Sequence, residues 1–195
     1  MTMPLLRYLT HPQVRIDPSV PVPQWGLSDV GHRRVADLLA SGVLAGTKTV
    51  ASSAERKAIE TAEPIAAALG VDLVVREAMH ENDRSSTGYL PAAEFEKMAD
   101  AFFANPDMSV RGWERAADAQ TRVVRETQAV LASAPDGDVL LVGHGGVGTL
   151  LYCHFAGLPI DRRFDQPAGG GHVFAVERAT GKPRHGWRPM ESPVA

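Results

Sequence analysis

A chain of 195 residues, 44% of them hydrophobic, is long enough to bury the core of one compact domain, read here as residues 1–195. A net charge of −3 gives no basic face with which to displace counterions from nucleic acid, and no apolar run approaches the roughly 20 residues that span a bilayer. The single cysteine, Cys153, excludes an internal disulfide and points to a reducing cytoplasm, and the opening MTMPLLRYLTHP is too polar after Leu6 for a signal peptide.

Leu5–Thr10 reads as a first strand, stopped by Pro12. Ile16–Gly26 holds too many turn-formers for a helix or a central strand. Ser28 or Asp29 can cap a helix that runs to about Ala40, and Lys48–Ser52 is a second strand. Ala54–Leu69 follows as a helix, with Ile59, Ala62, Ile65, Ala66 and Leu69 on one face and Gly70 as its stop. Val71–Val75 is a third strand, and His80–Gly88 a polar loop. Two helices are expected at Ala92–Phe103 and Glu114–Ser133, then a turn at Pro135–Gly137. Val139–Val142 is all apolar, as a strand buried on both faces should be. Gly145–Phe155 is the next helix and His172–Glu177 the last strand. Alternation of this kind predicts an α/β fold, a mostly parallel sheet in a three-layer α/β/α arrangement.

Ligands of open α/β sheets sit beyond the carboxyl ends of the strands. One strand ends at Thr10-His11-Pro12, the second at Ser52-Ser53 just before Arg56 and Lys57, and another at Gly143-His144-Gly145-Gly146. Two imidazoles, two cations and a helix N-terminus are therefore expected on one sheet edge. A helix N-terminus suits a phosphate, and glycines at Gly145 and Gly146 allow close approach to the backbone. Lys57 or Arg56 supplies full charge. A neutral imidazole can attack phosphorus and hold it as phosphohistidine. His11 is the candidate nucleophile, His144 its partner against developing charge, and the loop from His80 to Arg84 offers two carboxyls, Glu81 and Asp83, as the acid. No cofactor is needed, and the remaining histidines show no metal-ligand spacing.

These elements resemble the histidine phosphatase superfamily, the phosphoglycerate mutase-like group, across roughly residues 4–178. Thr10-His11-Pro12-Gln13 stands where that family has Arg-His-Gly-Glu/Gln. Leu27-Ser28-Asp29-Val30-Gly31 is similar to its Leu-Thr/Ser-x-x-Gly element. Ser53 to Ala62 is similar to its Ser-x-x-x-Arg-Ala-x-x-Thr-Ala element, and Val142-Gly143-His144-Gly145-Gly146 to its Val-x-His-Gly-Gly. Met79-His80-Glu81 resembles the acid-bearing Leu-x-Glu segment, which implies Glu81 as the acid and leaves Asp83 the runner-up. The resemblance implies the family's fold and its metal-free phosphohistidine mechanism.

The departures are Thr10 for the arginine before the nucleophile, Pro12 for the following glycine, and Lys57 for the second pocket arginine. Lysine offers a point charge in place of a bidentate fork. Asp17 stands where family members often carry asparagine, and its charge would repel a phosphate. Arg84, Arg7 and Arg15 are the candidate replacements, with Arg84 preferred because it lies in the acid-bearing loop. The phosphate-binding set is thus expected to be Lys57, Arg56, Arg84, Thr10 and Gly145. Arg56 and Lys57 read blandly as a solvated helix face, although cations in a first helical turn oppose the dipole.

The expected activity is a metal-independent phosphomonoesterase acting on a phosphorylated small molecule. Alternatives are a phosphoglycerate mutase-type enzyme, or a degenerate relative that binds a phosphorylated ligand or protein without turnover. Ile16–Gly26 and 85–109 are expected to form the substrate wall through Trp25, Tyr89, Leu90, Phe95, Phe102 and Phe103. Neither nucleic acid nor membrane is an expected partner, and helices with apolar outer faces could pair two copies.

Overall fold

The computed structural model describes residues 3–192. A six-stranded sheet has the order β3-β2-β4-β1-β5-β6, built from β1 (Leu5–Thr10), β2 (Thr47–Ser53), β3 (Leu73–Arg76), β4 (Asp138–Gly143), β5 (His172–Glu177) and β6 (Pro183–Pro189). The first four strands are parallel, and β5 runs antiparallel between β1 and β6. The helices are α1 (Asp29–Ala40), α2 (Arg56–Leu69), α3 (Ala92–Ala104), α4 (Ala116–Ser133) and α5 (Gly145–Ala156).

Strand alternation divides the core in two. Leu6, Tyr8, Val139, Leu141, Phe174 and Val176 face one layer, which α3, α4 and α5 cover with Phe102, Val123 and Leu150 among others. Leu9, Leu140, Val142 and Val173 face the other, covered by α1 and α2 through Val35, Leu38, Ala62 and Ile65. Burial on both faces explains why β4 is apolar at successive positions. The result is the three-layer α/β/α sandwich that the alternation of strands and helices predicts.

Strands β1 and β4 are neighbours, yet the helices that follow them, α1 and α5, leave to opposite faces. That divergence opens a crevice at their carboxyl ends. The crevice is where His11 and His144 lie.

Most elements lie within two residues of the sequence reading, strand β3 for example starting at Leu73 and not Val71, and one strand was not expected. Helix α2 begins at Arg56 and not Ala54, because Glu55 is an extended N-cap whose amide donates to Ser53 Oγ. Helix α4 begins at Ala116, two residues later than expected. Strand β6 went unread: it carries Pro183, Gly186 and Pro189, residues that a sheet accepts mainly at an edge, which is where β6 sits.

Candidate active site

Backbone contacts fix His11 from both sides. Its N–H donates to the Gly143 carbonyl at 3.0 Å, and its carbonyl accepts from Gly171 N–H at 3.0 Å. A Cβ at Gly170 would stand 2.4 Å from the His11 carbonyl oxygen, so only glycine lets this loop close on the histidine. The ring Nδ1 lies 2.9 Å from the Pro12 carbonyl, an acceptor, which places the proton on Nδ1 and leaves the lone pair on Nε2. Burial, reinforced by the neighbouring His144, pushes the His11 pKa down to about 3, against the pull of the Pro12 carbonyl. His11 is therefore a neutral imidazole at ordinary pH, and its Nε2 has no hydrogen-bond partner among the described residues.

His144 N-caps α5 and is fully buried. Its ring meets that of His11 edge-on, with centroids 5.3 Å apart. Tyr8 grips its backbone: the phenol accepts from His144 N–H at 2.9 Å and lies 3.2 Å from the His144 carbonyl. Ring Nε2 is 2.7 Å from Ser53 Oγ and 3.4 Å from Glu55 Oε1. Nδ1, on the other side of the ring, has no partner among the described residues, although it is buried. Burial lowers the pKa of His144, while Glu55 and Glu81 oppose that shift. A buried nitrogen without a partner calls for a ligand or water.

The cations lie differently from what the sequence suggested. Lys57 enters the site, only 4% exposed, but its ammonium donates to Glu55 Oε2 at 2.5 Å and to the Val22 carbonyl at 2.9 Å. Burial works against the Glu55 carboxylate, yet His144 and Lys57 outweigh it and hold the group well below the usual carboxylate range. Arg56 does not enter. Its side chain is 65% exposed and donates to Glu60 Oε1, which corrects its expected place in the pocket. An i, i+4 ion pair on the outer face, with Glu60 also accepting from Leu27 N–H, accounts for that direction. Arg7 is committed to Asp138 in a buried ion pair, and Arg15 is exposed.

Glu81 reaches the site from the loop after β3, and it occupies the place expected for phosphate. Its carboxylate accepts from Gly146 N–H at 3.0 Å and Val147 N–H at 2.9 Å, in the first turn of α5. Burial pushes the Glu81 carboxyl up, but Arg84, His144 and these two amides prevail and hold it below its ordinary value. Asp83, the runner-up acid, caps Ser85 N–H in an exposed turn. Arg84 lies over Phe95 and Trp113, 5.0 and 5.6 Å from their ring centroids. Glu81, Asn82, Arg84, Phe95, Trp113 and Asp165 help to line a cavity of about 50 Å³. Trp25 and Tyr89 meet with tilted rings, centroids 5.6 Å apart, joining the two expected wall segments. Phe102 and Phe103 belong to the buried core and also line that cavity.

Thr10 is buried, and its hydroxyl is bonded within the protein, to Gln166 Oε1 at 2.6 Å and to the backbone of His172. Asp17 caps Ser19 in its own turn. Ser53 and Glu55 are the site residues whose roles sequence reasoning missed. The signal was present in Glu55 and Lys57, opposite charges two residues apart at a helix entrance. No group of three or more His, Cys, Asp or Glu side chains among the described residues is arranged to hold a metal ion.

The sequence model of the histidine phosphatase superfamily (branch 1) matches residues 20–186, most of the chain. This protein belongs to that superfamily. The match begins after His11 and takes in Lys57, Glu81 and His144. Among solved structures, the fold is similar to mycobacterial glucosyl-3-phosphoglycerate phosphatase, with 19% identity over 96% of this chain and 100% of that one, and a TM-score of 0.78. YhfR of Bacillus stearothermophilus is similar at 21% identity over 93% and 94% of the two chains, TM-score 0.76. Phosphoserine phosphatase of Entamoeba histolytica matches at 14% identity over 98% and 100%, TM-score 0.73. No curated protein sequence matches. Identities this low establish the shared histidine phosphatase architecture and no particular substrate.

Proposed function

We propose that this histidine phosphatase superfamily member is a metal-independent phosphomonoesterase that works through a phosphohistidine at His11. The observation that carries the reading is the state of the two imidazoles. One has its proton fixed on Nδ1 and a free Nε2, and the other has a buried Nδ1 without a partner.

In the first step His11 Nε2 attacks phosphorus, the P–O ester bond breaks, and the leaving oxygen takes a proton from Glu81. Glu81 is ionised in the free protein. A phosphoryl dianion arriving beside it adds like charge and raises its proton affinity, so Glu81 takes up a proton from solvent as the substrate binds. The same dianion favours a second proton on His144, whose Nδ1 then donates to a phosphoryl oxygen while Glu55 faces Nε2. In the second step water attacks phosphorus, the P–N bond breaks, phosphate leaves, and Glu81 takes the water's proton. Lys57 contributes little net charge because Glu55 neutralises it. Glycosyl phosphoglycerates and phosphoserine, the substrates named for the structural neighbours, fix the class of small phosphorylated molecule to try first.

The neutralised Lys57 favours a second reading, a protein that binds a phosphorylated ligand without turnover. One assay separates them: hydrolysis of p-nitrophenyl phosphate in EDTA, wild type against His11→Ala. Turnover that survives EDTA and drops about 10³-fold or more in the variant supports the enzyme. Binding of phosphate without turnover supports the second reading, and isomerised phosphoglycerate with little free phosphate would indicate a mutase.

A further inference from the structure

Two phosphate ligands expected from sequence are committed elsewhere: Lys57 to Glu55, and Arg56 to Glu60. The first-turn amides of Gly146 and Val147 hold Glu81. A phosphoryl group at His11 still needs donors for its oxygens. Thr10, which stands by resemblance where the family has arginine, leads to one.

Thr10 Oγ1 accepts the His172 N–H at 3.0 Å and has a single proton to give. Its two candidate acceptors are Gln166 Oε1 at 2.6 Å and the His172 carbonyl at 3.3 Å. A separation of 2.6 Å is normal for O–H···O and short for N–H···O. The hydroxyl therefore donates to Gln166, which fixes the oxygen end of that amide on Thr10 and turns Nε2 the other way. Nε2 rests against Gly145, where a Cβ would come within 2.5 Å of it. Gly145, expected to admit a phosphate to the backbone, admits this amide.

The loop that carries Gln166 is anchored independently. Asp165 Oδ1 accepts Gln166 N–H at 2.7 Å and the Thr149 hydroxyl of α5 at 2.8 Å, and the Phe164 carbonyl accepts Trp187 Nε1–H at 3.0 Å. Gln166 is thereby held against the residue before His11 and the residue after His144.

From this arrangement we infer that the Gln166 side-chain amide, oriented by Thr10, is a phosphoryl-oxygen ligand of the site, standing in for the arginine that this chain lacks. The inference rests on the reading of His11 as the phosphoryl acceptor. It adds an oriented neutral donor, the Gln166 amide held against Gly145, to the protonated His144 of the proposed mechanism.

Calorimetric titration with orthovanadate, which needs no turnover, provides the test. Gln166→Glu keeps the acceptor for Thr10 but replaces the N–H donors with an anionic oxygen. It is expected to weaken vanadate binding tenfold or more, with a melting temperature close to wild type. Gln166→Leu should weaken it several-fold, and Thr10→Val, which frees the amide to turn, by a similar factor. The double variant Thr10→Val/Gln166→Leu should then be no weaker than Gln166→Leu alone. Wild-type vanadate affinity in folded Gln166→Glu and Gln166→Leu overturns the inference, and so does a wild-type protein that binds no vanadate. Failure of the phosphatase reading looks different: vanadate binds and depends on Gln166, but p-nitrophenyl phosphate is not hydrolysed or His11→Ala still hydrolyses it.

Discussion

The ends of β1 and β4 and the junction of β2 with α2 both deliver reactive side chains to one crevice, but they leave them in opposite states. At β1 and β4 every contact orients an imidazole and leaves one nitrogen unspent: His11 Nε2 and His144 Nδ1. At β2 and α2 the charges are spent on one another, Lys57 on Glu55 and Arg56 on Glu60. A residue type in a motif predicts that a group is present. Whether it is available depends on neighbours that the motif does not contain.

Substitutions on the two sides should therefore differ in kind. The largest loss expected on the reactive side after His11 is at Glu81. Glu81→Gln should cut hydrolysis of an alkyl phosphate by about 10²–10⁴-fold, because the alkoxide then leaves without a proton. It should cost far less with p-nitrophenyl phosphate, whose leaving group departs unaided. Equal losses on both substrates would remove Glu81 from the acid role.

At the junction the expected effect is on stability. Lys57→Met strands the buried Glu55 carboxylate and should destabilise the fold by about 3–5 kcal/mol, measured by urea denaturation. An undiminished midpoint would show that Lys57 is not tied to Glu55 in solution. The pH dependence carries the same signature. Glu55 is held well below the usual carboxylate range, so the unfolded chain takes up its proton first as pH falls. Its contribution is fully present above the ordinary carboxylate pKa and is lost as pH falls toward the folded value. Glu55→Gln should make the acid limb of stability between about pH 5 and pH 2 shallower. An unchanged limb would contradict that assignment.

Arg84 tests the boundary between the two kinds of residue. Arg84→Ala should weaken vanadate binding only a few-fold, because the guanidinium sits over Phe95 and Trp113 beside Glu81. Wild-type affinity would remove it from the site. The smallest effect belongs to Arg56. Arg56→Ala should change stability by less than about 0.5 kcal/mol and leave kcat/KM unaltered, as an exposed ion pair predicts.

The same division marks what the sequence made legible. Strands β1 and β5 lie where they were expected, and β4 follows directly from its all-apolar run. Gly70 stops α2 in the left-handed region as its position suggested. His11, His144 and Glu81 could be proposed because strand ends converge on one sheet edge. The partners of the cations left only local signals, Glu55 two residues from Lys57 and Glu60 one helical turn from Arg56, whereas Gln166 meets Thr10 across 156 residues of chain, a contact that no local pattern encodes. Strand β6 was hidden by the very prolines that suit it to an edge.

The unspent nitrogen of His11 is also the feature open to the most direct measurement. Wild-type protein should be mixed with phosphomonoester in EDTA, quenched in alkali during turnover, and digested, and the phosphate located by mass spectrometry. An acid-labile, alkali-stable phosphate on the His11 peptide, absent from His11→Ala, is the predicted result. Turnover with no such label, or with the label on another residue, would contradict His11 as the phosphoryl acceptor.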